Sequence, residues 1–150
     1  MAPPEEQKMT GTELGRHWFN EVWNKGRRDA IGEILAPAIV THDANVTTTG
    51  PEAFYSFFDR MQAAFSEIHV DVPDCFAAGD KVCIRWICTA NHTGGGLGFP
   101  ATQKKMRVTG ISVIRVANNQ FAEVWQNWDM LGMMEQLKSS SQSPTYVADS

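Results

Sequence analysis

The chain has 150 residues, of which 43% are hydrophobic and 20% are charged, and its formal net charge is −4. This length and balance predict one globular domain that is large enough to bury a core. The weak acidity argues against nucleic acid or an anionic membrane as a partner, because both attract clusters of Lys and Arg.

The sequence predicts a cytoplasmic protein. Its first nine residues, MAPPEEQKM, contain no apolar segment that could act as a signal peptide. No apolar run approaches the length of a membrane span. Cys75, Cys83 and Cys88 are odd in number and form no CxxC pair. Reduced thiols are therefore expected rather than a disulfide framework.

Two helices are predicted at the start of the domain, after a disordered tail over residues 1–9 that is rich in Pro and Glu. Thr10 and Glu13 form a capping-box pattern, which indicates the first turn of a helix. Gly26 ends that helix, because glycine is favoured just after a helix C-terminus. A second, short helix is expected over Asp29 to Leu35.

A third helix is predicted after a segment with few regular signals. This segment, AIVTHDANV at 38–46, is expected to be short and extended or irregular. Gly50-Pro51 then begins the helix, since proline suits the first helical position. One face of the helix is strongly aromatic at three- and four-residue spacing, with Phe54, Phe57, Phe58, Met61 and Phe65.

Alternating apolar and polar residues predict a run of strands in the second half of the chain. The expected strands are residues 68–72, 81–93, 106–117 and 120–128, with a tight turn at 118–119. A closing helix over 129–138 and a flexible polar tail over 139–150 follow. Helices followed by antiparallel strands indicate an α+β domain, over residues 10–138, with the helices packed on one face of the sheet.

Most classes of catalytic site lack their motifs in this chain. There is no HxH, HExxH or CxxC pattern for a metal and no GxSxG pattern for a nucleophile. The glycine-rich loop at 94–98 lacks the Gly-Lys-Ser/Thr ending of a phosphate loop and lies between strands. A metal set assembled from distant residues stays open, and general acid/base catalysis in an apolar pocket is the chemistry that this chain favours.

Asp129 is the first candidate for that chemistry. It lies in EVWQNWDMLG, residues 123–132, where a strand carrying Trp125 and Trp128 runs into a helix. Burial beside tryptophan disfavours the charged form of a carboxyl group, which suits a general acid or base. The same position also suits the N-cap of the closing helix. Both roles remain open.

Two histidines are further candidates. His92 ends a predicted strand on the face that also carries Trp86, where a pocket would place a polar group. The alternative is a histidine that bonds to the neighbouring glycine-rich loop. His42, in the motif THD at 41–43, lies in a segment with little regular structure, where functional residues concentrate. A polar turn would explain that motif equally well.

The order and spacing of several short motifs resemble the SnoaL-like polyketide cyclases, within the nuclear-transport-factor-2-like superfamily. The motifs are THD (41–43), GPEAFYSFF (50–58), AFSEIHVDV (64–72), AAGDKVCIRW (77–86), NHTGGGLGFPATQKK (91–105), VTGISVIRV (108–116) and EVWQNWDMLGMMEQL (123–137). The resemblance implies a cone-shaped, curved antiparallel sheet packed on N-terminal helices, with a cavity between them. It also implies a homodimer formed through the sheet and cofactor-free chemistry on a polyketide-like small molecule.

The resemblance places the cyclases' catalytic aspartate on Gln126 and their histidine on Ser112. Glutamine cannot accept a proton at neutral pH, so the aldol machinery of the cyclases does not carry over unchanged. Asp129 matches a different aspartate that is common in the ester-cyclase-like branch. If Gln126 lines the cavity, strand alternation places Trp128 beside it and directs Trp125 to the opposite face, toward a partner subunit.

We therefore expect a cofactor-independent acid/base enzyme, of cyclase or isomerase type, that acts on a small, largely apolar, oxygenated molecule. The expected catalytic residues are Asp129, His92 and His42. The expected substrate-binding residues are Gln126, Trp128, Trp125, Trp86, Phe54, Phe58 and Ser112. Two alternatives stay open: a dehydratase or epoxide-hydrolase-type enzyme on the same fold, and a non-catalytic module for small-molecule binding or dimerisation.

Overall fold

The first helix begins where the capping box predicts. In the computed structural model, which describes residues 8–139, helix α1 spans Gly11–Trp18. The Thr10 hydroxyl accepts from the backbone N–H of Glu13, and the Glu13 carboxylate accepts from the backbone N–H of Thr10. The helix continues without a break as a π-helical segment, Phe19–Asn24. Gly26 follows at φ +67°, which confirms it as the residue that ends the helix.

The predicted tails lie almost wholly outside the described residues. At the N-terminal side, Met9 is half-buried, and its backbone N–H donates to the Asn119 side chain at 3.1 Å. The domain thus takes in at least one residue of the tail predicted over 1–9. At the C-terminal side, Ser139 donates its backbone N–H to the carbonyl of Glu135, as a helix C-cap does.

Of the two expectations for residues 38–46, extended or irregular, the extended one is confirmed. After helix α2, Asp29–Ile34, the chain forms strand β1, Leu35–Asp43, and strand β2, Val46–Thr49. The two strands pair as an antiparallel hairpin, with Asp43 opposite Val46. Ala44 turns the chain at φ +54°. Helix α3, Glu52–Ala64, follows.

One mixed sheet carries the rest of the fold. Its further strands are β3 (Phe65–Ala78), β4 (Lys81–His92), β5 (Lys105–Ala117) and β6 (Gln120–Trp128). The strand order is β2-β1-β6-β5-β4-β3, and every neighbouring pair is antiparallel except β1 and β6, which run parallel. The predicted antiparallel sheet is confirmed as a mostly antiparallel one, with a single parallel pair among the described strands. Alternation predicts which face a side chain takes, but it carries no information about strand direction.

The core lies between the helices and one face of the sheet. Strand alternation holds along β4, where Val82, Ile84, Trp86 and Ala90 are buried. Helix α4, Met130–Lys138, closes the chain and buries Met133 and Leu137 against the same core. None of the helices formed by residues 8–139 has both the length and the apolar character needed to span a bilayer.

Candidate active site

A cavity of about 440 Å3 lies between the helices and the inner face of the sheet. Its walls are largely aromatic, with Trp18, Trp23, Phe54, Phe57, Trp86 and Trp128 among the lining residues. Such a cavity suits a small, flat, apolar ligand, because apolar and aromatic surface lines most small-molecule sites while a few polar groups set orientation.

Four polar groups form one chain of hydrogen bonds along the cavity wall. The Trp86 indole N–H donates to the Ser112 hydroxyl at 3.2 Å, and that hydroxyl donates to Gln126 Oε1 at 3.3 Å. Gln126 Nε2 then donates to Asp43 Oδ2 at 3.4 Å. Because the indole can only donate and the carboxylate can only accept, the direction of all three bonds is set.

Strand register brings these groups together. Ser112 and Gln126 are direct partners in the β5–β6 pair, and Gln126 and Asp43 are direct partners in the parallel β1–β6 pair. Trp86 is opposite Gly110, where an added Cβ would lie 2.2 Å from the indole ring. Glycine at this position lets the Trp86 ring lie across β5 and reach Ser112.

Asp43 is the site residue that sequence reasoning missed. It is half-buried, and it is the one carboxylate in the cavity lining within residues 8–139. The missed signal is the alternation of Ile39, Thr41 and Asp43, all of which line the cavity. Because residues 38–46 were expected to be either extended or irregular, the sequence alone does not establish which face Asp43 takes.

The opening of the cavity is marked by the exposed members of its lining. Val46 on β2, Arg60 on α3 and Met130 on α4 are all exposed and all line the cavity. Ala53 on α3 is also exposed, so apolar side chains from three elements lie at the entrance, together with one cation. Leu131, which follows Met130, is 71% exposed and extends the apolar surface next to the entrance.

Comparison with known proteins shows the family of this chain. The model of the SnoaL-like polyketide cyclase family matches residues 13–137. The chain belongs to this family. A curated relative is the aklanonic acid methyl ester cyclase DnrD of Streptomyces peucetius, which is 29% identical over 124 residues, or 78% of this chain and 83% of the relative.

Solved structures share the SnoaL-like fold. A candidate SnoaL-like polyketide cyclase of Jannaschia sp. CCS1 superposes with a TM-score of 0.78 at 22% identity, over 94% of this chain and 100% of that one. A protein of Catenulispora acidiphila DSM 44928 with a ketosteroid isomerase-like fold superposes with a TM-score of 0.70 at 19% identity, over 85% of this chain and 94% of that one. The predicted fold, an α+β sheet on N-terminal helices, is confirmed.

Half of the predicted site residues line the cavity of this SnoaL-like fold. They are Gln126, Trp128, Trp86, Phe54 and Ser112. Phe58 lies behind the wall instead: it is buried in the core and packs on Trp23, with ring centroids 5.3 Å apart. Among the lining residues, Cys88 offers no nucleophile, because burial raises the pKa of its thiol to about 12.

Asp129 caps helix α4 and does not line the cavity. It is exposed, and its carboxylate accepts from the backbone N–H of Gly132 at 2.9 Å. The helix begins at the next residue, Met130. Of the two roles left open by the sequence, the capping one is seen in the structure, and the catalytic one stays a prediction.

His42 and Trp125 lie on the outer face of the sheet. The alternation that directs Asp43 and Gln126 inward directs these two neighbouring residues outward. Their rings stack with centroids 5.4 Å apart. His42 Nε2 lies 2.7 Å from the Glu123 carboxylate, which also contacts Arg115 at 3.3 Å. The hydrogen bond from His42, together with Arg115, lowers the pKa of Glu123. This cluster is separate from the cavity lining.

His92 is fully buried beyond one end of the cavity and does not line it. Its Nδ1 accepts from the backbone N–H of Thr102 at 3.1 Å, so it holds the loop between β4 and β5. Phe65 and Phe99 flank the ring at 5.4 Å and 5.3 Å. Burial lowers the pKa of His92, which favours the neutral ring. His92 therefore lies where the alternative reading of the sequence put it, bonded to the loop that contains the glycines.

The described part of the chain contains no candidate metal site. Within residues 8–139, no three His, Cys, Asp or Glu side chains converge in a way that could hold a metal ion.

Proposed function

We propose that this SnoaL-like protein is a cofactor-independent acid/base enzyme, of cyclase or isomerase type, and that Asp43 is the group that moves the proton. The substrate would be a small, polyketide-like, largely apolar molecule that carries carbonyl groups. The observation that carries the proposal is one carboxylate in a largely aromatic cavity, held by the directed chain of hydrogen bonds from Trp86 through Ser112 and Gln126.

The hydrogen-bond chain sets the orientation of the Gln126 amide. Because Ser112 donates to Oε1, the amide presents Nε2 toward Asp43. An amide nitrogen carries two N–H groups, and Asp43 takes one of them. We propose that the second donates to the substrate carbonyl oxygen, where negative charge develops when the neighbouring carbon loses a proton.

The proposed reaction needs no co-reactant. Asp43 removes a proton from the carbon next to a ketone, and the electron pair moves onto the carbonyl oxygen to give an enolate. In a cyclisation, that carbon then attacks a second carbonyl carbon of the same molecule, and the new alkoxide takes the proton back from Asp43. In an isomerisation, the proton returns to a different carbon. Both products have the mass of the substrate.

Aromatic walls support this chemistry by excluding water. An enolate in a water-filled site would take a proton from solvent before the ring closes. In an apolar cavity the fixed N–H donor also interacts more strongly with developing charge than it would in water. The same walls would press a flexible chain into a folded shape, which brings the two reacting carbons together.

The substitution Asp43→Asn tests the proposal. Aklanonic acid methyl ester, the compound in the name of the relative DnrD, serves as the first substrate. Product mass by liquid chromatography separates the reaction types, since dehydration loses one water, hydrolysis gains one, and cyclisation or isomerisation changes nothing. We expect kcat to fall about a hundredfold or more in Asp43→Asn, the usual scale for loss of a general acid/base group.

The matched control is Asp129→Asn, which changes a second aspartate outside the cavity. We expect it to keep kcat within about threefold. Wild-type activity in Asp43→Asn would refute the proposal. Binding of the ester that is unchanged by either substitution, with no turnover by the wild type, would favour the non-catalytic binding module.

A further inference from the structure

Arg60 is the one cationic side chain that lines the cavity within the described residues. It lies on helix α3 three residues after Phe57, which itself follows Ala53 by four residues. Residues at this spacing share one helix face, and all three line the cavity. The position of Arg60 in the lining therefore follows from the helix itself and needs no unusual backbone.

The charge of Arg60 has no counter-ion in the part of the chain that the structure describes. The preceding carboxylate, Asp59, is already held by Arg28, through contacts of 2.9 Å and 3.0 Å. The Arg60 guanidinium instead lies 5.8 Å from the centroid of the Phe57 ring, which belongs to the cavity wall. The side chain thus holds a cation beside an apolar surface, and its guanidinium donates no hydrogen bond to any residue that the structure describes.

We infer that Arg60 binds a carboxylate group of the substrate at the opening of the cavity. This inference rests on the proposed function, because it treats the cavity as the substrate site, and it names the substrate class as a polyketide-like carboxylic acid. A guanidinium group presents two parallel N–H donors that match the two oxygens of a carboxylate.

The two charges in the lining would also orient the substrate. Asp43 repels a carboxylate and Arg60 attracts it, so the acid end stays at the opening. The ketone end of the molecule then lies toward Asp43 and Gln126, where the proposed proton transfer takes place. The acid proposed here differs from the compound in the name of the relative DnrD, which is a methyl ester.

Binding of matched probes tests the inference without any turnover. Anthraquinone-2-carboxylic acid is a flat, apolar acid, and its primary amide is a neutral molecule of nearly the same size. Dissociation constants at about pH 7.5, where the acid is ionised, are measured by calorimetry or by quenching of the tryptophan fluorescence. We expect the wild type to bind the acid at least about tenfold more tightly than the amide.

Three variants assign that preference to Arg60. In Arg60→Gln the acid should bind about tenfold more weakly, while the amide changes less than about twofold. Arg60→Lys keeps the charge and should retain part of the preference. Arg107→Gln is the matched control, because Arg107 is exposed, forms no ion pair with any residue in 8–139 and does not line the cavity. It should bind both probes as the wild type does.

Salt dependence gives a second readout. An exposed ion pair is screened by salt, so the acid should lose affinity between about 20 mM and about 500 mM NaCl, while the amide should not. Equal affinity of the wild type for acid and amide would overturn the inference, as would an acid preference that survives in Arg60→Gln.

Failure here is distinguishable from failure of the proposed function. Asp43→Asn should lower kcat about a hundredfold or more. Its acid preference should be at least as large as that of the wild type, because the substitution removes a repulsive charge and leaves Arg60 in place. If turnover depends on Asp43 but the protein shows no acid preference, only the role of Arg60 is refuted. If the acid preference depends on Arg60 but the protein turns over no substrate, only the proposed enzyme activity is refuted.

Discussion

The Asp43 carboxylate accepts a hydrogen bond from the Gln126 amide at 3.4 Å, and the two residues are direct partners on neighbouring parallel strands. The resemblance to the polyketide cyclases aligns their catalytic aspartate with Gln126. In this chain a carboxylate thus lies across the strand pair from that position rather than on it. A site that needs one carboxylate in this region of the cavity can obtain it from either strand.

Asp129 should matter for stability and not for rate. Replacing it with Ala removes the side chain that accepts from Gly132 N–H, and loss of an N-cap costs about 1 kcal/mol. For a domain of this size, we expect thermal unfolding by circular dichroism to shift down by about 2–4 °C. Asp129→Ser is the control, because serine also caps helices. A lowered kcat in Asp129→Ser, despite normal stability, would contradict the capping assignment.

Glu21 should make the stability of the N-terminal helix region depend on acid pH. Its carboxylate lies 2.7 Å from Arg27 and 2.9 Å from Lys25, and these hydrogen bonds lower its pKa to about 2. A lowered folded-state pKa stabilises the protein above the ordinary value of 4.5, and this contribution disappears as the pH falls toward about 2.

The substitution Glu21→Gln should therefore destabilise the protein by about 1.5–3 kcal/mol at pH 7, the range for hydrogen bonds to charged groups. Urea unfolding should show this difference shrinking between about pH 4.5 and pH 2. Glu33→Gln is the control, because Glu33 contacts the same Arg27 from an exposed position and should cost little. A difference that stays constant with pH would contradict the assignment.

Gly94 should tolerate no side chain. Its N–H and that of Thr93 donate to the carbonyl of Ala64 at the end of α3, and an added Cβ would lie 1.9 Å from the carbonyl oxygen of Ala63. Because the clash is with backbone, we expect Gly94→Ala to cost about 1–3 kcal/mol. Gly95→Ala is the matched control, since the nearest atom to its added Cβ is 4.0 Å away. Equal unfolding free energies for the two variants would contradict the close approach.

Ile111 should belong to the subunit interface of the expected homodimer. It is 51% exposed on the outer face of the sheet, and Trp125 and Val113 pair on the same face. A polar residue there should weaken association, because exposed apolar patches mark interaction surfaces. We expect light scattering to give twice the 16.7 kDa chain mass for the wild type and a lower mass for Ile111→Glu. Gln62→Glu, on the exposed side of α3, should leave the wild-type mass unchanged.

Local signals predicted the elements well. The capping box at Thr10, the glycine that ends the first helix and the last strand over 120–128 are all found where the sequence predicts them. These features depend on a few adjacent residues, so they can be recognised without the rest of the fold. Two aromatic wall residues, Phe54 and Trp86, were predicted for the same reason, because each occupies a periodic position. Trp128 was placed beside Gln126 by the resemblance to the cyclases together with strand alternation.

The site's polar centre could not be predicted in the same way. Asp43 becomes a lining residue only when β1 is recognised as a strand, and its partner Gln126 is 83 positions away. Asp129 drew attention because two tryptophans shortly precede it in the sequence. Strand geometry directs Trp125 outward, and Asp129 lies at the helix cap. Proximity along the chain was a poor guide to proximity in space.

The parallel pairing of β1 with β6 has a consequence for the protein during its synthesis. Domains are made from the N-terminus onward, so β1 and β2 are complete long before β6, the parallel neighbour of β1, exists. Until β6 leaves the ribosome, Asp43 has no amide partner and the cavity lacks one wall. A nascent chain arrested before residue 120 should therefore hold no competent site, and ligand binding should begin only when the last strand inserts between β1 and β5.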